Sequence, residues 1–282
     1  MRFTEHLGEL RQRLKIVFIT LLVIFIALIV VPRYPAQFLS LTGTYNPLVS
    51  VFLDRIVQDI LPAGWTLIGF HVNEGLEIVL VASLILAVAF DMPVIAYEIF
   101  RFIDPALKEN ERKLVYPFVI SSSFLFLIGL AFGYFILAKF LLIALTPFFV
   151  AGHLQFTIEG ADFYYVVFLT VFFSGVAFTF PVFVYLMIRF GIVEASFFSR
   201  NRLYIWFGTY IVTAVITPDG GPVLDVILFF PVIVLLEVAV LFGRRYSRGK
   251  PGAASKGRRC SYCDSPLDPA QVFCTKCGKA NA

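Results

Sequence analysis

Two sets of side chains in this sequence are equipped for chemistry. The first is a group of acids at the ends of long apolar runs: Glu9 in His6-Leu-Gly-Glu-Leu-Arg-Gln-Arg13, Glu98 near the end of the second run, and Glu111 at the start of the third. The second is four cysteines, Cys260, Cys263, Cys274 and Cys277, arranged as two C-x-x-C pairs with ten residues between them. Several carboxylates near one membrane face suit a cationic ligand. If that ligand carries two arginines, each planar guanidinium can fork onto a carboxylate, and the reduced dielectric of the interface strengthens the contact. A lysine does not match that geometry. Paired C-x-x-C elements on a cytoplasmic tail fit a tetrahedral zinc site made of all four thiolates, and so small a module would be folded by its metal. Disulfides are the other reading, and a reducing compartment argues against them.

Glu111 has two readings on local physics alone. It follows Asn110, a plausible N-cap, so its carboxylate can simply favour the positive end of a helix dipole. It can also face a ligand at the membrane surface. Asp219, in Thr217-Pro-Asp-Gly, is likewise open between a turn residue and a residue acting in transport.

The elements that must position these groups are membrane helices. Of 282 residues, 59% are hydrophobic and 15% charged, with a mean hydropathy of +0.87, and apolar runs long enough to cross a hydrocarbon layer of roughly 30 Å recur. The expected fold is an all-α polytopic membrane protein with six transmembrane helices plus a small C-terminal zinc ribbon. Six spans are predicted, at Ile16–Val31, Leu76–Phe100, Lys113–Leu142, Phe163–Phe190, Leu203–Ile216 and Val223–Phe242. A short amphipathic helix is expected around Leu48–Ile60, between breakers at Pro47 and Pro62. The first apolar run has no small-residue cleavage pattern after it and is read as a retained helix.

Charge orients the array. Arg2, Arg11, Arg13, Lys15, Arg101, Lys108, Arg112, Arg189, Arg200, Arg202, Arg244 and Arg245 fall on one side, whereas the opposite loops carry Arg33 and Arg55. The positive-inside bias places both termini in the cytoplasm. The fifth segment is short: its residues span only about 21 Å as a helix, so it either thins the bilayer or forms a partial hairpin. The expected division is a membrane domain over residues 1–245, a basic flexible linker over 246–259 and a zinc-ribbon tail over 260–282.

Enzyme motifs are missing. The sequence has no H-E-x-x-H, G-x-S-x-G or G-x-x-x-x-G-K, and its three histidines, His6, His71 and His153, are scattered. Gly129 and Gly133 form a G-x-x-x-G, which reads as close helix packing. Polar groups at the membrane edge are therefore the functional candidates, and no nucleic-acid partner is expected.

Three stretches resemble a known family. They are His6 to Leu14, Tyr97-Glu-Ile-Phe-Arg-Phe-Ile-Asp-Pro-Ala-Leu-Lys-Glu-Asn-Glu-Arg112, and Ser121-Ser-Ser-Phe-Leu-Phe-Leu-Ile-Gly-Leu-Ala-Phe-Gly-Tyr134. With Pro47 in the long first outer loop and Thr217-Pro-Asp219, they are similar to TatC, the multispanning receptor of the twin-arginine protein translocase, over about residues 1–245. The resemblance implies binding of twin-arginine signal peptides of folded precursors at the cytoplasmic face. It also implies recruitment of small single-span subunits of the TatA/TatB type, an oligomeric complex, and transport driven by the proton-motive force in a prokaryotic plasma membrane. By position it implies Glu9 and Glu111 as signal-peptide carboxylates, Arg11 as a supporting charge, and Phe102 and Pro105 as shapers of the loop presenting Glu111. Pro47, Thr179 and Asp219 are the implied partner-helix contacts.

Two departures stand out. Glu98 adds an acid that would reinforce cation binding, and Thr179 stands where the family often buries an acid. The zinc tail lies outside the family core. Two rival readings remain open on the sequence: a secondary transporter or channel for small cations, and a membrane anchor serving the zinc ribbon.

Overall fold

The computed structural model describes residues 3–33, 46–103, 115–217 and 221–249, together with 258–259, 263, 266–267 and 277 of the tail. Nearly all of it is helical. In a bilayer every backbone N–H and C=O must be satisfied within its own segment, so the apolar runs have little choice. In chain order the helices are α1 (Phe3–Val30), α2 (Ser50–Ile60), α3 (Glu74–Ile103), α4 (Val115–Phe132), α5 (Ala138–Ala151), α6 (Gly160–Arg189), α7 (Ala195–Arg200), α8 (Arg202–Ile216) and α9 (Pro222–Gly249). A π-helical turn over Gly133–Leu137 joins α4 to α5. Pro93, Pro147, Pro181 and Pro231 lie inside helices, which neighbouring helices make tolerable in a membrane.

Five of the expected spans are long and apolar enough to cross a membrane, in Gly8–Val30, Glu74–Phe102, Pro117–Ala151, Gly160–Arg189 and Pro222–Arg245. The third continues nine residues past its expected end at Leu142, through Pro147. The fifth expected span is α8, a helix of only 15 residues, about 22 Å long.

Helix α6 is the centre. It packs against α4, α9 and α3, while α1 packs on α3. The approach of α4 to α6 is set by glycine: a Cβ at Gly129 would stand 2.7 Å from the Ser174 carbonyl oxygen, and one at Gly175 2.7 Å from the Phe126 ring. The G-x-x-x-G at Gly129 and Gly133 is thus a packing surface. Phe163, Val167, Leu137, Leu142, Leu224 and Leu228 fill the core around it.

The all-α expectation for the membrane domain needs correction in one place. Thr66–Ile68 pairs in parallel with Thr157–Glu159 (β1 and β2), so that the loops after α2 and α5 satisfy each other's backbone groups. In the tail, Arg258–Arg259 and Pro266–Leu267 (β3 and β4) pair antiparallel. The first long loop is clasped at its ends: Pro32 and Pro47 form an antiparallel bridge, with Arg33 N donating to Asn46 O at 2.9 Å and Leu48 N to Val31 O at 2.8 Å.

Candidate functional site

Helices α1 and α3 run antiparallel, which brings the start of one beside the end of the other. Glu98 lies in the last turns of α3 and is buried. That end is immobilised by aromatic packing: the Phe100 ring centroid is 3.8 Å from that of Phe118 on α4, which in turn meets Phe183 on α6 at 5.7 Å. From α1, Arg13 donates through Nη1 to Glu98 Oε2 at 3.2 Å and through Nη2 to Glu9 Oε1, one turn earlier on its own helix. Its Nε is buried without a hydrogen-bond partner among the described residues. Side-chain exposures of 14% for Arg13, 7% for Glu98 and 27% for Glu9 rank the three. Glu9 is the accessible acid and Glu98 the deep one.

The arrangement is a guanidinium gripped by two carboxylates on two helices. Its net charge is −1 with Arg13 in place. Removing that guanidinium would leave two acids spaced to receive another, with the bidentate geometry that arginine offers and lysine lacks.

The structure brings Glu9 and Glu98 together, as their assignment to one site requires. Arg11 is exposed on another face of α1 and makes no ion pair among the described residues. Phe102 is half-buried on the last turn of α3. Pro105, Glu111, Asp219, Cys260 and Cys274 lie outside the described residues. Pro47 is in the loop clasp that leads into α2. Thr179 is only 1% exposed, and its hydroxyl donates to the Val176 carbonyl. It presents neither surface nor donor to a second helix in this conformation.

Other polar groups carry no sequence signal as site residues. Charge patterning marks Arg13 itself only as a residue that orients the chain. In the α8–α9 hairpin, Thr217 donates its hydroxyl to Asp225 Oδ1, and both residues are buried. At the other end of the same hairpin, Glu237 Oε1 accepts from Arg202 Nε at 2.6 Å and from Trp206 Nε1 at 3.0 Å. Two turns deeper than Glu98 on the same face of α3, Asp91 is fully buried, with the Thr20 side chain of α1 beside its carboxylate.

At the opposite end of the bundle, Glu74 organises the loops. Its Oε2 accepts from Phe70 N at 2.8 Å and its Oε1 from Ala161 N at 2.9 Å, tying the start of α3 to the start of α6. Asp59 of α2 accepts from the Tyr134 hydroxyl at 2.8 Å and pairs with Arg55 at 3.1 Å.

In the tail, Cys263 and Cys277 each occupy a turn, and Cys263 lies between the two strands of the β3–β4 ladder.

Comparison with known proteins gives a consistent answer. The family model described as Sec-independent protein translocase protein (TatC) matches residues 5–231. The Sec-independent protein translocase protein TatC of Azotobacter chroococcum is 33% identical over 261 residues, 91% of this chain and 94% of its own. The TatC of Escherichia coli K12 is 31% identical over 244 residues, 86% of this chain and 87% of its own. A crystal structure titled twin arginine translocase receptor TatC in DDM superposes with a TM-score of 0.68 at 25% identity, covering 84% of this chain and 99% of that one.

Proposed function

The chain belongs to the TatC family and is a subunit of the Sec-independent protein translocase, and we propose that its Glu9–Arg13–Glu98 cluster receives the arginine pair of a precursor's signal peptide. The observation that carries this reading is that two carboxylates on separate helices already hold a guanidinium. The ligand's arginine would take the place of Arg13 or add to it, using the net negative charge of the cluster. Glu111, with Phe102 and Pro105, would supply a further carboxylate from the loop after α3, and Arg11 a neighbouring charge.

Charge supports the proposed sidedness. Arg11, Arg13, Arg101, Arg189, Arg202 and Arg244 belong to the same ends of alternating helices, which supports a cytoplasmic site and cytoplasmic termini in a prokaryotic plasma membrane. The hairpin α8–α9 would complete a sixth crossing by drawing the bilayer thinner around the short α8. Single-span subunits of the TatA/TatB type would join the receptor, with Pro47, Asp219 and Thr179 as contact candidates, Thr179 only after local opening. The proton-motive force would drive the passage of the folded precursor through the assembled complex. In the tail, Cys260, Cys263, Cys274 and Cys277 would hold a structural zinc ion, which supplies the folding energy of so small a module.

Photo-crosslinking tests the location. A twin-arginine peptide with benzoylphenylalanine beside the arginines should cross-link within residues 9–13 and 97–102. Cross-links confined to the loops around Glu74 or to the cysteine tail would place the peptide elsewhere.

A further inference from the structure

A cavity of about 300 Å³, lined by both charged and apolar side chains, opens between α8 and α9, at the end of the bundle that also holds Arg13 and Glu98. Arg202, Trp206, Glu237 and Arg244 line it. A second cavity of about 360 Å³, almost wholly apolar, runs beside it between α6, α8 and α9. The two share Phe198, Ile205 and Leu236 as walls. Side by side they outline a slot, with charged groups in the lining of the first cavity and apolar side chains along the second.

The charges in the first cavity do not balance. Glu237 is engaged by Arg202 Nε and by the indole N–H of Trp206, and the Arg202 guanidinium carbon lies 5.2 Å above the Trp206 ring. The terminal nitrogens of Arg202 and the whole guanidinium of Arg244 have no hydrogen-bond partner among the described residues. Two guanidinium groups against one carboxylate leave one positive charge. A phosphodiester brings one negative charge and acceptor oxygens that fit guanidinium donors. Basic pockets between membrane helices at this level suit anionic head groups, and a tryptophan beside them suits the interface.

We propose that this slot binds an anionic phospholipid, with the phosphate held by Arg202 and Arg244 and one acyl chain lying along the apolar groove past Gly208. The groove has room there: a Cβ added at Gly208 would meet nothing within 4 Å. A lipid in this position would fill the space beside the short α8 and fix the hairpin against α6.

The chain has two tryptophans, Trp65 and Trp206, so a Trp65→Phe variant reports on Trp206 alone. The full-length variant is placed in phosphatidylcholine vesicles containing a small fraction of phosphatidylglycerol. Either the phosphatidylglycerol or an equal amount of the phosphatidylcholine carries bromine on the upper acyl chain, which quenches nearby indole fluorescence. The expected result is about fivefold enrichment of phosphatidylglycerol at Trp206, the weight of one basic residue at an anionic surface. Arg244→Gln should bring the two lipids close to parity and Arg244→Lys should keep much of the preference. Gly208→Phe, whose ring would occupy the groove beyond the open Cβ position, should weaken quenching by both. Equal quenching by the two lipids in the parent protein would overturn the proposal and leave the groove to bulk lipid or a partner helix. A preference unaltered by Arg244→Gln would overturn it equally.

Discussion

Arg13 and Glu98, 85 residues apart in sequence, meet at 3.2 Å across the seam between α1 and α3, and Glu9 holds the other terminal nitrogen of the same guanidinium. The contact joins two acids into one site and also occupies it. On the proposed function, a site that receives arginine by carboxylates carries its own arginine in the clasp, and ligand binding would be an exchange or an addition at that charged cluster.

Arg13→Gln leaves Glu98 buried beside a neutral partner. Breaking a fully buried pair costs roughly 3–5 kcal/mol, and about 2 kcal/mol is expected here because the cluster lies near the membrane surface. The free variant should melt at a lower temperature than the parent. A twin-arginine peptide should then raise the melting temperature of the variant more than that of the parent, because it resupplies the missing guanidinium. Thermal unfolding in detergent, with and without peptide, measures both.

Glu74→Gln keeps the shape of the side chain but leaves one oxygen to accept, and the amide NH2 that replaces the other faces an N–H donor, so the hydrogen bond to Phe70 N or to Ala161 N is lost and the remaining one loses its charge assistance. The loops at that end of the bundle should loosen without loss of the helices. Amide exchange at Phe70 and Ala161 should quicken by about tenfold, read by hydrogen–deuterium exchange.

Gly129→Ala and Gly208→Ala should act in opposite directions. The first drives a methyl group to 2.7 Å from the Ser174 carbonyl, and the second places one in open space. Overpacking should cost about 1–3 kcal/mol at Gly129, whereas loss of glycine flexibility should stabilise α8 by about 0.5–1 kcal/mol. Melting temperatures of the two variants decide it.

The tail should contain one zinc ion per chain by elemental analysis. Cys277→Ser should lower that content sharply while the helices and their melting temperature stay as in the parent. A full zinc content in the variant would remove Cys277 from the ligand set.

Much of this architecture is legible in the sequence for one physical reason: a bilayer demands long apolar runs, and their ends are marked by charge and by Gly or Pro. The packing role of Gly129 and Gly133 can be read for the same reason, since small residues four apart on a membrane helix have few other uses. Glu9 and Glu98 are recognisable as acids at the membrane edge. Arg13 is not recognisable as their clasp, because that depends on how α1 pairs with α3, a relationship that local pattern does not contain. Asp225 and Glu237 are hidden as single acids within an apolar run. Their partners, Thr217 and Arg202, come from the other arm of the hairpin. Strands of three residues, Thr66–Ile68 and Thr157–Glu159, are too short to carry a period of two and arise from loops that tertiary packing lays side by side.

The clasp itself is tested most directly by the affinity of a twin-arginine signal peptide for the purified protein in nanodiscs. The parent is compared with Glu9→Gln and Glu98→Gln, and a twin-lysine peptide serves as the chemical control. Loss of one charge-assisted contact predicts binding weakened by about tenfold or more in each variant, and comparably for the twin-lysine peptide. Equal affinity of the parent and both variants for the twin-arginine peptide would contradict the assignment of Glu9 and Glu98 to the site.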